Sequence, residues 1–193
     1  MKLADAQKVA EGVALLFAPF CERIEIAGSV RRLRPECGDI DLVAIPKFRE
    51  HHDLLGNVER RENLLRSNLV QYVRDNRKTA QWASGKEPQE DGKNFTILGR
   101  HAQVDIFCAT PATFATVLLT RTGSKEHNVW ISERARARRA AFKASEGLWL
   151  HDRGLIHPQT EHEFYSLLGL PFIEPPLRER INLMRVETEA PCR

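Results

Sequence analysis

The sequence predicts an α+β protein with a sheet-containing first domain and a mainly helical second one. Short segments that are apolar, or that alternate with the two-residue period of a strand, lie in the first half at 23–27, 39–45, 95–98 and 102–107. From residue 111 onward the apolar residues recur at helical spacing instead. We therefore predict one domain over residues 1–110 and another over residues 111–193.

The elements of the first domain follow from the same patterns. A helix is expected between residues 5 and 20. The strand at 39–45 is expected inside the sheet, because it is apolar on both faces. A second helix is predicted from about Asn57 to Asp75. The remaining elements are short and follow in chain order: a strand at 79–83, a polar loop at 85–92, and a hairpin of the segments 95–98 and 102–107.

The second domain is expected to begin with a short apolar helix at 113–120. A long, arginine-rich helix then runs from Glu126 to Lys143 and is broken at Gly147. A small strand-and-turn region precedes a last helix at 161–168.

Composition limits the class of protein. The formal net charge is +3 with a pI near 8.8, so any nucleic-acid binding must come from a local cluster of Lys and Arg. The four cysteines form no CxxC pair, which predicts free thiols in a reducing cytoplasm. No apolar run is long enough to span a membrane, so a membrane partner is not expected.

The clearest functional pattern begins with the turn Gly28-Ser29 and the basic pair Arg31-Arg32. A glycine lets the backbone approach a phosphate, and Ser29 offers both a hydroxyl and an N–H group. Arg32 can make a bidentate contact with phosphate oxygens. The segment therefore predicts a triphosphate site. The alternative for one of the two arginines is a solvated surface loop, and Arg32 is preferred over Arg31 as the phosphate ligand.

Three carboxylates predict a site for two divalent cations. Asp39 and Asp41 lie on one face of their strand, and Asp105 interrupts an otherwise apolar strand. Mg²⁺ and Mn²⁺ prefer oxygen ligands, and a pair of such ions suits phosphoryl transfer. The alternative is a turn at Gly38-Asp39 with Asp41 exposed on an edge strand. The preceding Gly-Ser turn and basic pair favour the metal site.

In their order along the chain, these residues resemble the signature of the DNA polymerase beta superfamily of nucleotidyltransferases. The segment 122–128, Thr-Gly-Ser-Lys-Glu-His-Asn, is similar to the palm–thumb junction of family X DNA polymerases, particularly the bacterial branch. The segment 168–179 is similar to the end of their thumb. The resemblance implies a nucleotidyltransferase-fold palm, with a mixed or antiparallel sheet and helices on one side, followed by a small thumb.

The resemblance also implies roles. Asp39 and Asp41 would bind both metals, and Asp105 would bind the catalytic one and help to deprotonate the primer 3′-hydroxyl. The implied nucleotide contacts are Gly28, Ser29, Arg32, Gly38, Gly123, Ser124 and Asn128. The expected protein is a monomer that transfers dNMP from a dNTP to primed or gapped DNA, without a lyase or exonuclease domain.

A basic stripe is predicted on the long helix of the second domain. At 100° per residue, Arg136, Arg139 and Lys143 share one side of that helix. Such a stripe suits a DNA phosphate backbone, and the alternative is a solvated helix face.

Two other functions remain open at this point. One is a stand-alone nucleotidyltransferase with an RNA, protein or small-molecule acceptor, or an untemplated terminal transferase. The thumb-like C-terminal segment argues against it. The other is a DNA-binding accessory protein with an inactive site, against which the presence of all three carboxylates argues.

Overall fold

The structure, a computed structural model, describes residues 1–180 and confirms the α+β class. The predicted second domain extends to residue 193, and its segment 181–193, with Cys192, lies outside the described residues. The first half contains α1 Leu3–Phe17, a 3₁₀ turn Ala18–Phe20, β1 Cys21–Ile26, α2 Gly28–Arg31, β2 Asp39–Pro46, β3 Phe48–His52, β4 Val58–Asn63, α3 Leu64–Asp75, β5 Ala80–Trp82, β6 Asn94–Gly99 and β7 Gln103–Cys108. The second half contains α4 Phe114–Thr122, α5 Lys125–Ala137, β8 Ala140–Lys143, β9 Gly147–Leu150, β10 Gly154–Ile156, α6 Glu161–Leu167 and a 3₁₀ segment Pro175–Arg180.

A five-stranded mixed sheet organises the first half, with the strand order β1-β2-β7-β6-β5. Only the β2–β7 pair is parallel, and the other neighbours are antiparallel. Strand β2 lies inside the sheet, as its apolar faces predict. Its parallel register places Asp41 beside Asp105.

The two faces of β2 are buried in different clusters. Ile40 and Leu42 lie on the face that α1 and α3 cover, and both are fully buried. Burying a side chain of this size contributes about 1.5–3 kcal/mol. Val43 lies on the opposite face and packs with Phe114 and Val117 of α4. The strand that bears two of the carboxylates is therefore held from both sides.

The second half has its own core, built around a three-stranded antiparallel sheet of order β10-β9-β8. Ile131, Leu148 and Phe164 meet in it, together with Leu119 of α4. Helix α4 therefore packs against both halves of the protein. No helix in the described part of the chain combines the length and apolar character needed to cross a membrane.

The helix predicted from about Asn57 is wrong in its first part. Strands β3 and β4 form a two-stranded hairpin, and α3 begins only at Leu64. The side-chain oxygen of Asn63 accepts a hydrogen bond from the backbone N–H of Arg66 at 3.0 Å and caps the helix. Most residues of β4 are exposed. The strand therefore has no buried face to mark it in the sequence.

The long helix predicted to end at Lys143 is also wrong. Helix α5 ends at Ala137, and Arg139 has a φ of 55°. Lys143 belongs to strand β8, whose first residue, Ala140, is buried. Arg136, Arg139 and Lys143 therefore lie on a helix, a turn and a strand. The common helical stripe does not exist, because burial in the second core overrides the helix propensity of this Ala- and Arg-rich segment.

Candidate active site

Three carboxylates converge where β2 and β7 run side by side. Asp41 and Asp105 are register partners, and Asp39 shares a face of β2 with Asp41. All three side chains are half-buried, and each offers an oxygen within 4.8 Å of the others. Carboxylate oxygens at this spacing suit Mg²⁺ or Mn²⁺. The structure thus brings the three predicted ligands together, and their role as ligands stays a prediction.

The environment of Asp41 favours its protonated form. Burial raises the pKa of Asp41 to about 7, and the neighbouring carboxylates of Asp39 and Asp105 act in the same direction. The cations Arg32 and Arg121 oppose this rise. A divalent cation would relieve the repulsion among the three carboxylates, which is a physical reason for one to bind here.

Gly28, the first residue of α2, lies against the side chain of Asp41. Its φ is 58°, and a Cβ atom there would lie 1.9 Å from Oδ2 of Asp41. A side chain at this position would therefore displace the carboxylate. Ser29 follows in the first turn of α2 and is buried. Its hydroxyl is buried and has no hydrogen-bond partner among residues 1–180.

Both carboxylate oxygens of Asp105 accept hydrogen bonds. The hydroxyl of Thr96, on β6, donates to Oδ1 at 2.5 Å, and Nε2 of Gln103 donates to Oδ2 at 2.7 Å. These contacts orient the carboxylate towards the cluster. Sequence reasoning assigned neither residue to the site. For Gln103, the available signal was its place two residues before Asp105 on the same strand face.

The surface-loop alternative is wrong for both arginines of the basic pair. Arg31 donates to the Thr122 hydroxyl at 2.7 Å and to the carboxylate of Glu161 at 2.5 Å. Arg32 is only 11% exposed, and it donates from Nε to Glu179 and from Nη1 to the carbonyl of Thr122. Helix α2 is therefore tied to α4, α6 and the last described segment.

One cleft of about 710 Å³ collects several of the predicted ligand contacts. The predicted residues that line it are Arg32, Gly123, Ser124, Asn128 and Arg136. The peptide bond between Gly123 and Ser124 is cis. The Ser124 hydroxyl caps α5, and Nδ2 of Asn128 donates to the carbonyl of Thr120 at 2.8 Å.

The other predicted contacts lie outside that cleft. Gly28 and Ser29 are on α2, and Gly38 is exposed just before β2. Arg139 and Lys143 are not among the residues that line the cleft. Lys143 instead forms an exposed pair with Glu146 at 3.0 Å. The predicted nucleotide and DNA contacts thus divide into residues that line the cleft and residues that lie elsewhere.

Arg121 is a residue of the site that sequence reasoning did not assign. Its guanidinium lies 3.9 Å from the ring centroid of Phe107, two residues after Asp105. It lines the same cleft as Arg32, and its charge opposes the rise in the pKa of Asp41. The contact joins α4 to β7, so no local sequence pattern predicts it.

Comparison with known proteins identifies relatives of this chain. The family model described as DNA polymerase beta thumb matches residues 117–179. Rat (Rattus norvegicus) DNA polymerase lambda is 27% identical over 176 residues, which cover 79% of this chain and 28% of that protein. The Bacillus subtilis (strain 168) DNA polymerase/3′-5′ exonuclease PolX is 33% identical over 157 residues, which cover 79% of this chain and 24% of that protein. The chain is a relative of the family X DNA polymerases. It spans about a quarter of the length of these two family X relatives.

Two solved structures have the same fold as this chain. Two crystal structures of Leishmania infantum polymerase beta, a ternary P/T complex and a ternary gap complex, match with TM-scores of 0.63 and 0.64. Both are 17% identical to this chain. The matches cover 92% and 93% of this chain, and 76% and 70% of the Leishmania chains. At this identity the likeness concerns the fold alone.

Proposed function

We propose that this chain is a DNA-directed DNA polymerase that adds dNMP to the 3′-hydroxyl of primed or gapped DNA and releases pyrophosphate. The observation that carries the proposal is the cluster of Asp39, Asp41 and Asp105, with oxygens within 4.8 Å of one another. The relation to family X polymerases supports the choice of a DNA primer as acceptor. In this proposal, residues 1–110 form the palm and residues 111–193 the thumb of a monomer.

The three aspartates would hold two Mg²⁺ or Mn²⁺ ions. The chemistry that such ions supply is activation of the attacking hydroxyl and neutralisation of charge on the triphosphate. Asp105, held by Thr96 and Gln103, would accept the proton of the primer hydroxyl.

The triphosphate would lie against α2 and the cleft beside it. Arg32 would contact phosphate oxygens, and the Ser29 hydroxyl would donate to them. Gly38 and Gly28 would let backbone approach the ligand. Gly123, Ser124 and Asn128, which line the cleft with Arg32, would contact the nucleoside.

Arg136 is the best supported of the three proposed DNA contacts, because it lines the cleft on the last turn of α5. Arg139 and Lys143 would meet the phosphate backbone from separate elements. Each single change to Ala is therefore expected to lower the salt slope of DNA binding by about one unit at most. A slope that none of the three changes alters would remove them from the proposal.

Primer extension on gapped DNA tests the proposed function. We expect templated extension with Mg²⁺ or Mn²⁺ by the wild type, and a loss of about 10²- to 10⁴-fold in Asp105→Ala. The matched control is Asp152→Ala, which removes an exposed carboxylate from a turn in the second half. Parallel reactions with ribonucleotides measure the selectivity for deoxyribose over ribose in the cleft that Thr120 and Arg121 line.

Other results would replace the proposal. Untemplated addition, or transfer only to a non-DNA acceptor, would favour the terminal transferase or the stand-alone nucleotidyltransferase. DNA binding without extension by either protein would favour a DNA-binding accessory protein.

A further inference from the structure

The carboxylate of Glu179 holds the guanidinium of Arg32. Its Oε1 accepts from Arg32 Nε at 2.5 Å, and the Thr122 carbonyl accepts from Nη1. Within residues 1–180, the hydrogen bonds and ion pair of Arg32 come from Nε and Nη1 and none from Nη2. Two of the three nitrogens are thus held by the protein, and the third is left for a ligand of the cleft that Arg32 lines.

The position of Glu179 is fixed by buried contacts of its neighbour. Arg178 is fully buried, and it donates to the carboxylate of Glu161 at 2.9 Å and to the carbonyl of Ile173 at 3.0 Å. Its own carbonyl accepts a hydrogen bond from the Ser124 hydroxyl at 3.1 Å. The backbone beside Glu179 is therefore anchored both to the second core and to the cleft. An acceptor carried on such a segment has a defined place before any ligand arrives.

We propose that Glu179 is a positioning residue for nucleotide binding. By fixing the guanidinium of Arg32 between its carboxylate and the Thr122 carbonyl, it presents the remaining nitrogen to the triphosphate. A side chain ordered in advance loses less conformational entropy when the ligand binds, so affinity rises without a new contact. The inference rests on the proposed function, in which Arg32 contacts the triphosphate. In the opposite arrangement, the carboxylate competes with phosphate for Arg32. It predicts that KM for dNTP and the tripolyphosphate Kd fall when Glu179 is removed.

The test compares KM for dNTP on gapped DNA, kcat, and equilibrium binding of inorganic tripolyphosphate. In Glu179→Ala, we expect KM and the tripolyphosphate Kd to rise about tenfold while kcat stays within about twofold. Glu179→Gln keeps an acceptor for Nε and is expected to restore most of the affinity. Arg34→Ala is the matched control, because it removes only the 3.8 Å contact to the same carboxylate. It should behave as the wild type.

A double-mutant cycle shows whether Glu179 acts through Arg32. Adding Glu179→Ala to Arg32→Ala should leave tripolyphosphate binding unchanged, and a general loss of stability cancels in this comparison. If the wild type extends primers but the KM of Glu179→Ala is unchanged or lowered, this inference is overturned and the proposed function is not. A lowered KM would identify the carboxylate as a competitor of phosphate. A wild type that extends no primer overturns the proposed function and this inference together.

Discussion

Asp41 is the residue at which a proton and a divalent cation compete. Its pKa is raised to about 7 by burial and by the carboxylates of Asp39 and Asp105. A metal ligand must be deprotonated, so cation binding releases this proton below the pKa. We predict that Mn²⁺ affinity rises roughly tenfold between about pH 6 and about pH 8, with proton release that fades across the same window.

Calorimetry in two buffers of different ionisation enthalpy measures both quantities. Asp41→Asn removes the titrating carboxyl, and it should bind Mn²⁺ more weakly and with little proton release. A wild-type affinity that is flat across the window would contradict the prediction.

Gly28 sets the distance between α2 and the same carboxylate. In Gly28→Ala, the new Cβ would lie 1.9 Å from Oδ2 of Asp41, and a φ of 58° is strained for alanine. We predict weaker Mn²⁺ binding and a loss of unfolding free energy of about 1 kcal/mol or more. Gly12→Ala is the control, since nothing lies within 4 Å of its Cβ in α1, and it should be neutral or stabilising. Unchanged Mn²⁺ affinity in Gly28→Ala would show that the carboxylate can move aside without consequence.

At this scale, the sequence allowed Asp39 and Asp41 to be paired because strand periodicity is local, and it allowed Asp105 to be predicted because a charge interrupts an apolar strand. Two residues apart on one strand means the same face, whatever the rest of the chain does. The contacts of Arg32 with Glu179 and of Arg121 with Phe107 join elements far apart in the chain. No spacing within either element contains that information.

At the scale of elements, burial decided which predictions were confirmed. Strand β2 and the hairpin of β6 and β7 have buried faces, and their apolar pattern is visible in the sequence. Strands β3 and β4 form an exposed hairpin with charges on both faces, so no strand was predicted there, and the helix predicted from about Asn57 covered β4 instead. Helix α5 ends at a left-handed arginine, where a glycine would have marked the end.

That helix end can be improved. Arg139 follows the C-cap Arg138 with a φ of 55°, a conformation that glycine adopts without strain. We predict that Arg139→Gly raises the free energy of unfolding by about 0.5–1 kcal/mol. Arg136→Gly, inside α5, should lower it by about 1 kcal/mol. Urea denaturation distinguishes the two, and equal effects of the same sign would show that the left-handed conformation does not matter.

For the molecule as a whole, buried charges connect the two halves. Glu161 of α6 accepts from Arg31 of α2 at 2.5 Å and from Arg178 at 2.9 Å, and its side chain is only 6% exposed. Burial alone would raise the pKa of Glu161, but the two guanidinium groups overcome that effect and lower it. These three residues come from distant parts of the chain and show no common pattern in the sequence.

Removing the charge of Glu161 should therefore destabilise the whole protein. In Glu161→Gln, the buried Arg178 and the partly buried Arg31 lose their counter-ion, and we predict a cost of about 3 kcal/mol or more near neutral pH. Because the pKa of Glu161 is lower in the folded state, its contribution is present above the unfolded pKa and is lost as the pH falls through the folded pKa. The difference between wild type and variant should shrink in acid. Glu146→Gln, in the exposed pair with Lys143, should change stability by less than about 0.5 kcal/mol. Urea denaturation across this pH range measures both, and a pH-independent difference for Glu161→Gln would mean that lost packing, not lost charge, causes it.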